Sequence, residues 1–344
     1  MAIIVPKIEL HQIHFISKQN ELVESFIEFI NEWNNDAPTF RVKTSGSTGI
    51  PHEIELNKSY ALASAHLTGN FFQYQSNDYL VSGLSPKTIG VKMQFIRAAL
   101  FGMKIIVCDT NRNPLRDINR QVKQISVVPL QLREIIEKTP EKLHFVDTFL
   151  VGGSVINNDL KKLILSHRIE VYESYGMTET YSHVALRKIQ ANKPYFKALQ
   201  GITFSSINDQ LCIHAAHLGH PQMLTNDLVN LVDSTNFEWL GRADFAINSG
   251  GKKFIPEQLE SKLIGTMNHA FFIFGEKNEL FGEIVTLFIE AYYSAELQKN
   301  IEEICNKLLD RYEIPKKIYF VPIFNLTKNG KLDRLNTQKK VIES

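Results

Sequence analysis

Residues 44 to 49 read Thr44-Ser45-Gly46-Ser47-Thr48-Gly49, a run of hydroxyls and glycines with the chemistry of an anion cradle. Glycine lets successive backbone N–H groups turn toward one point, and the side-chain hydroxyls add donors around the same anion. The same composition also makes an ordinary hairpin loop. The Walker pattern is not met, because no glycine is followed at the required offset by Lys-Ser or Lys-Thr. Further along, Glu179 follows Thr178 in Tyr175-Gly176-Met177-Thr178-Glu179-Thr180. A carboxylate beside triphosphate oxygens recruits Mg²⁺ while the substrate supplies the other ligands. Taken alone, a Glu in this position is equally an ordinary helix N-terminal residue. Lys331 closes the polar, glycine-bearing stretch Thr327-Lys328-Asn329-Gly330-Lys331, where a lone lysine is ordinarily just solvated.

The elements that must position these residues alternate. Leu22, Phe26, Phe29, Ile30 and Trp33 recur at three- and four-residue steps, which predicts an amphipathic helix ahead of the Ser/Thr/Gly run. Asn57 is placed to cap a helix through about Phe72, Tyr79 to Val81 reads as a strand, Thr88 to Phe101 as a helix, and Lys104 to Cys108 as a buried strand. The alternation continues with Ile125 to Val128, a helix through Ile136, Phe149 to Val151, a helix over Leu160 to Leu165, and Ile169 to Tyr172. Such a pattern argues for an α/β fold with a largely parallel sheet wrapped by helices. Ile202 to Trp239 reads instead as short strands joined by turns at Asn208-Asp209 and Asp233-Ser234, a small β-rich subdomain. Residues 245–344 suffice for a compact α+β domain.

A chain of 344 residues holds roughly two or three domains. Lys plus Arg (38) nearly balances Asp plus Glu (37), so no net field draws the chain to nucleic acid or an anionic membrane. The apolar start is too short for a signal peptide and no run approaches a membrane span, which predicts a cytoplasmic protein. Cys108, Cys212 and Cys305 lie in separate apolar segments without metal-ligand spacing and are expected as buried free thiols.

In order along the chain, the Ser/Thr/Gly run, Tyr175 to Thr180, Thr225-Asn226-Asp227, Gly241-Arg242-Ala243-Asp244 and Gly330-Lys331-Leu332-Asp333-Arg334 resemble the successive core motifs of the adenylate-forming superfamily of acyl-CoA synthetases, luciferases and peptide-synthetase adenylation domains. The resemblance runs from about Lys43 to Arg334. It implies an adenylation domain over residues 1–243, lacking most of the superfamily's first subdomain, and a mobile C-terminal domain over 244–344. The short segment before the first motif, with Tyr175 to Ile189, Thr225 to Val229 and Ile247 to Glu260, looks like the compact forms of o-succinylbenzoate:CoA ligase of menaquinone biosynthesis.

The resemblance implies a role for each motif. Residues 44 to 49 would hold the β and γ phosphates of ATP. The Lys that usually follows the loop's Pro is His52 here, one fixed cation fewer. Tyr175 would stack on adenine, with Gly176 and Thr178 in the same nucleotide site, and Glu179 would carry Mg²⁺. Asp227 would accept hydrogen bonds from the ribose hydroxyls, a task suited to a carboxylate. Arg242 would support the ribose or the phosphate with its planar fork. Lys331 would be the catalytic cation between the acid's carboxylate and the α-phosphate, Asp244 the hinge, and Gly250-Gly251-Lys252 the segment that guides the CoA thiol.

The acid pocket is expected between the helix of Thr88 to Phe101, the turn containing Gly153 and Ser154, and the segment after Glu179. A dicarboxylate such as o-succinylbenzoate needs a donor for the carboxylate that is not activated. Lys87, Lys92, Arg97 and His183 are the candidates. The implied function is an AMP-forming acid:CoA ligase using ATP, Mg²⁺ and CoA. Other acids, a carrier-protein acceptor and a non-catalytic nucleotide-binding protein are the alternatives.

Overall fold

The computed structural model describes residues 4–43, 52–191, 194–326 and 332–342. Strand β1 (Ile13–Phe15) is followed by helix α1 (Asn20–Asn34), which buries the predicted stripe Phe26, Phe29, Ile30 and Trp33. The Trp33 indole N–H donates to the Pro6 carbonyl at 2.9 Å, so even this core residue keeps its polar atom satisfied. Strands β2 (Thr39–Lys43) and β3 (Glu53–Asn57) form an antiparallel hairpin with Lys43 opposite Glu53. The Ser/Thr/Gly run between them lies outside the described residues.

Helix α2 (Lys58–Phe72) begins where expected because the Asn57 side chain accepts the Ser59 N–H at 2.8 Å. Then come β4 (Tyr79–Ser82), α3 (Ile89–Phe101), β5 (Lys104–Val107), β6 (Val122–Val127), α4 (Pro129–Lys138), β7 (Val146–Val151), α5 (Asn158–His167) and β8 (Val171–Met177). The parallel strands run in the order β1-β5-β4-β6-β7-β8. From β4 the chain winds outward to β5 and then returns to place β6 on β4's other side. The direction of winding reverses there, and open α/β sheets bind ligands at the carboxyl ends of strands beside such a reversal.

The short strands expected from Ile202 to Trp239 are present, and they extend the same sheet. Strand β9 (Ser182–Lys188) folds back antiparallel on β8. Beyond it lie β10 (Phe196–Ala198), β14 (Asn236–Arg242), β13 (His220–Asp233), β12 (Gln210–Ala215) and β11 (Thr203–Ile207), giving twelve strands in all. Phe196, Phe204, Leu211, Ile213 and Phe237 share one core with α1, α2 and α3, which ties the antiparallel half to the parallel half. Asn208 and Asp209 both take positive φ, +52° and +65°, in the two-residue turn between β11 and β12.

A second, five-stranded sheet follows from β15 (Ile247–Ser249), β16 (Lys252–Phe254), β17 (Phe271–Asn278), β18 (Gly282–Glu290) and β19 (Lys317–Val321). Helices α6 (Pro256–Leu263), α7 (Ala295–Leu308) and α8 (Arg334–Ile342) accompany it. Its apolar clusters are built from Ile247 onward, apart from the cores of the large sheet. The three cysteines are buried free thiols, and burial pushes Cys108 up to about 12 and Cys305 up to about 11. Among the described residues no helix is long and apolar enough to cross a membrane.

Candidate functional site

Tyr175-Gly176-Met177, expected to follow a strand ending at Tyr172, are themselves the last residues of β8. The β8 and β9 register shifts between Tyr175 and Gly176. A Cβ at Gly176 would lie 2.0 Å from the Ser182 carbonyl oxygen and 2.5 Å from His183 Cα, so the crossing of β9 admits only glycine there.

The Tyr175 ring leans on Phe237 (centroids 5.0 Å apart) and Phe196 (5.7 Å). Its hydroxyl donates to Asp227 Oδ2 at 2.7 Å. Burial first, and the Asp227 charge second, hold the phenol well above its usual range, so it stays a donor. The Trp239 indole N–H donates to the other carboxylate oxygen, Oδ1, at 3.0 Å. The Asp227 N–H in turn donates to the Thr225 hydroxyl at 3.1 Å, and that hydroxyl donates to the Leu211 carbonyl at 2.9 Å. Arg242 stands opposite Asp227 in the β13–β14 register. Its guanidinium forks onto Asp244, with N···O distances of 2.9 and 2.7 Å, and this pairing holds Arg242 above its ordinary value. Asp244 lies in the single turn Ala243–Phe245 between the two sheets.

Thr178, Glu179 and Thr180 form the turn from β8 to β9. Thr180 is its buried pin: the hydroxyl accepts the Met177 N–H at 3.0 Å and lies 2.8 Å from the Ser182 carbonyl. Among the described residues the exposed Glu179 carboxylate and the Thr178 hydroxyl have no protein partner. The Glu179 carbonyl shares a 2.8 Å hydrogen bond with the His220 ring. Among the described residues no group of three or more His, Cys, Asp or Glu side chains could hold a metal. A cation at Glu179 would take its other ligands from a substrate.

The four proposed acid-pocket groups divide. Lys92 is committed elsewhere: its ammonium donates to the Arg41 carbonyl at 2.7 Å, pairs with Glu32 at 3.3 Å and lies over the Phe29 ring. Lys87 is exposed and lines a surface groove with Lys18, Gln19 and Pro86. Ser154 is exposed beside Gly153, whose φ of +86° makes the turn after β7. Arg97 and His183 come together in the interior.

Arg97 is 1% exposed, and among the described residues its Nε and Nη2 have no hydrogen-bond partner. Burial draws its pKa down to about 10, with only the Tyr74 phenol acting the other way, so the group remains charged at neutral pH. Burial, and the Arg97 charge after it, hold His183 well below its ordinary value, so the ring is neutral. It shares a 3.0 Å hydrogen bond with the Thr68 hydroxyl. Among the described residues, Gln94 Oε1 on α3, Ser82 Oγ on β4 and Gln124 Nε2 on β6 are buried and also lack partners. The Tyr74 hydroxyl donates to Gln124 Oε1 at 2.6 Å. Periodicity marked Arg97 as a helix residue but carried no sign of this polar lining.

Gly250 and Gly251 form the two-residue turn between β15 and β16, with φ of +56° and +78°, so hairpin geometry alone accounts for both glycines. Lys252 lies 3.8 Å from the centroid of the Tyr312 ring. Lys331 and Lys328 lie outside the described residues. On either side of that segment Leu326 bridges Leu332, and Arg334 pairs with Glu260 at 2.9 Å. Trp239 is the site residue that sequence reasoning missed. Its spacing of three from Arg242 assigns it to the opposite strand face, but a register shift at Leu240 turns it to the face of Asp227.

The chain is similar to known proteins in both sequence and fold. A family model described as AMP-binding enzyme matches residues 13–222. The 2-succinylbenzoate–CoA ligase of Haemophilus influenzae is 23% identical over 95% of this chain and 76% of its own. The Geobacillus sp. protein of the same name is 25% identical over 94% and 73%. Among solved structures, an acyl-CoA synthetase (AMP-forming)/AMP-acid ligase II-like protein from Dyadobacter fermentans is 30% identical, covering 94% of this chain and 95% of that one with a TM-score of 0.61. The o-succinylbenzoate CoA synthetase of Bacillus subtilis, solved with the acyl-adenylate OSB-AMP, shares the fold at a TM-score of 0.76 and 20% identity, covering 96% of this chain and 79% of that one.

Proposed function

Because the chain belongs to the AMP-binding enzyme family, we propose that it is an ATP-dependent acid:CoA ligase whose preferred acid is o-succinylbenzoate. The acid's carboxylate oxygen attacks the α-phosphorus of ATP, the bond to the β-phosphate oxygen breaks, and pyrophosphate leaves. The CoA thiol then attacks the acyl carbon and AMP departs. Tyr175, Asp227 and Arg242 would take adenine and ribose, residues 44 to 49 the outer phosphates, and Lys331 the charge that builds between carboxylate and α-phosphate. The exposed Glu179 carboxylate, without a protein partner among the described residues, suits a hard cation, and Mg²⁺ held there with phosphate oxygens would offset the triphosphate charge. Residues 244–344 would pivot at Asp244 between the two steps, bringing Gly250, Gly251 and Lys252 toward the thiol.

The observation that supports a dicarboxylate is the buried Arg97 guanidinium, whose Nε and Nη2 have no hydrogen-bond partner among the described residues. Leaving a charge uncompensated in the interior costs several kcal/mol, and a second carboxylate, inserted beside the neutral His183, would supply the missing counter-ion. The names of the relatives in Haemophilus and Geobacillus point to the same diacid. The test is pyrophosphate release against aromatic, dicarboxylic and fatty acids, with and without CoA. Release specific to o-succinylbenzoate, with acyl-CoA formed when CoA is present, supports the reading. Preference for a fatty acid or for a carrier-protein thiol would keep the chemistry and change the substrate. Nucleotide binding without any release would leave a non-catalytic nucleotide-binding protein.

A further inference from the structure

We propose that Trp239 is a positioning residue that fixes the Asp227 carboxylate for the two ribose hydroxyls of the nucleotide. The inference rests on the reading of Asp227 as the ribose acceptor and adds what holds it in place. A carboxylate offers about four acceptor sites, two on each oxygen. Tyr175 occupies one on Oδ2 and Trp239 one on Oδ1, at 2.7 and 3.0 Å. The two donors sit on different strands, β8 and β14, so they fix the carboxylate plane against rotation about Cβ–Cγ. One lone pair on each oxygen is left for an incoming pair of donors, and the 2′- and 3′-hydroxyls of a ribose are such a pair.

The backbone is shaped for this contact. The β13–β14 register runs Asp227↔Arg242 and Leu228↔Gly241, then jumps to Val229↔Trp239, leaving Leu240 as the extra residue. A bulge of this kind re-aims a side chain, and here it sends the indole to the face that carries Asp227. Trp239 is only partly buried, whereas the chain's other tryptophan, Trp33, is 1% exposed on the buried face of α1. An indole held against the sugar acceptor and open on one side would sense a bound nucleotide.

The experiment compares ATP with 2′-deoxy-ATP and 3′-deoxy-ATP in pyrophosphate release by the full chain, as wild type, Trp239→Phe, Trp239→His and Asp227→Ala. Trp239→Phe keeps an aromatic ring and removes the donor. It should raise KM for ATP roughly tenfold, the scale of losing one hydrogen bond to a charged acceptor, while KM for the deoxy-nucleotides moves far less. Trp239→His retains a ring N–H and should restore part of the discrimination. Loss of bulk packing alone would shift all three nucleotides together. Titration with AMP should change the tryptophan emission of wild type and leave that of Trp239→Phe unchanged. If Asp227→Ala abolishes discrimination between ATP and its deoxy forms while Trp239→Phe retains it in full, the positioning role is wrong and the ribose reading stands. If Asp227→Ala itself discriminates like wild type, the ribose reading falls and the role of Trp239 falls with it.

Discussion

The Tyr175 hydroxyl and the Asp227 carboxylate, 52 residues apart in the chain, meet across 2.7 Å where β8 and β13 come together in space. One side chain belongs to the last parallel strand and the other to the antiparallel extension. Their hydrogen bond therefore joins the two halves of the large sheet at the proposed nucleotide site. The sheet needs both halves for this, because neither strand carries the pair alone.

Removing the hydroxyl tests that junction. Tyr175→Phe keeps the ring against Phe237 and Phe196 but leaves a buried carboxylate oxygen one donor short. The expected cost is about 1.5 kcal/mol of stability, together with a rise in KM for ATP of about three- to tenfold. Tyr175→Ala loses the ring as well and should weaken ATP binding further. Thermal melts and ATP titrations of the two variants check this order, and identical behaviour would remove Tyr175 from the nucleotide site.

Arg97 gives the substrate prediction. Arg97→Met replaces the buried guanidinium with an apolar chain of similar length and should raise KM for o-succinylbenzoate at least tenfold, while a monocarboxylic analogue changes little. Because the Arg97 Nε and Nη2 have no partner among the described residues, the substitution should not cost stability and is expected to add some, since a buried unpaired charge disfavours folding. Lys92→Met should instead destabilise through loss of the Glu32 pair and the Arg41 carbonyl contact, without selective effect on the diacid. Equal effects of Arg97→Met on both acids would move the second carboxylate elsewhere.

The contrast between Arg97 and Lys92 also marks how far the sequence was legible. Local chemistry was readable: the Asn57 cap, the α1 stripe and the Asn208-Asp209 turn depend on neighbours in sequence, and all three formed as read. Which basic residue of α3 enters the interior without a partner depends on what α1, β4 and β6 bring to it, and no single-helix periodicity contains that. Trp239 was hidden for a related reason. A period of two assigns strand faces correctly only until a bulge inserts a residue, and the bulge at Leu240 is set by pairing with β13. The order of the motifs carried the family, whereas one of the two donors to the Asp227 carboxylate, Trp239, lies outside any motif.

Stability should respond to acid through two groups of opposite sign. The folded chain keeps His183 neutral well below the ordinary value of 6.5, by burial and then by Arg97. As pH falls below 6.5 the unfolded chain takes up a proton that the folded chain does not, and stability is lost by up to about 1.4 kcal/mol per pH unit. Burial lifts Glu260 from 4.5 up to about 7, against the pull of Arg334. Between about 7 and 4.5 the folded chain holds a proton that the unfolded chain releases, so this group adds stability as pH falls. His183→Gln should therefore flatten the acid loss below pH 6.5, and Glu260→Gln should steepen it. Thermal midpoints measured from pH 7.5 to 5 distinguish the two, and changes of slope in the same direction would contradict the assignment.

The phosphate cradle is tested at its own residues. Thr48→Ala removes a hydroxyl donor and Gly49→Val blocks close approach of the backbone, so both should raise KM for ATP. His52→Lys restores the cation usual at that position and should leave KM unchanged or lower it. ATP KM values insensitive to Thr48→Ala and Gly49→Val would assign the outer phosphates to another part of the chain.

Lys331 separates the two half-reactions. If its ammonium stabilises the charge between carboxylate and α-phosphate, Lys331→Ala should slow adenylation by roughly 10² to 10³, the scale of losing one preorganised donor at a developing anion. The thioester step should be largely spared, since rotation about Asp244 would carry Lys331 away and bring Gly250, Gly251 and Lys252 in. Supplied with ready-made acyl-adenylate, Lys331→Ala should make acyl-CoA at near the wild-type rate; supplied with ATP and acid, it should not. Lys328→Ala, three residues away, should follow wild type in both assays. Asp244→Pro should do the reverse of Lys331→Ala, because a fixed φ restricts the pivot. Adenylate should accumulate in that variant while the thioester stalls. A folded Lys331→Ala protein that loses both half-reactions equally would show that one orientation serves both steps.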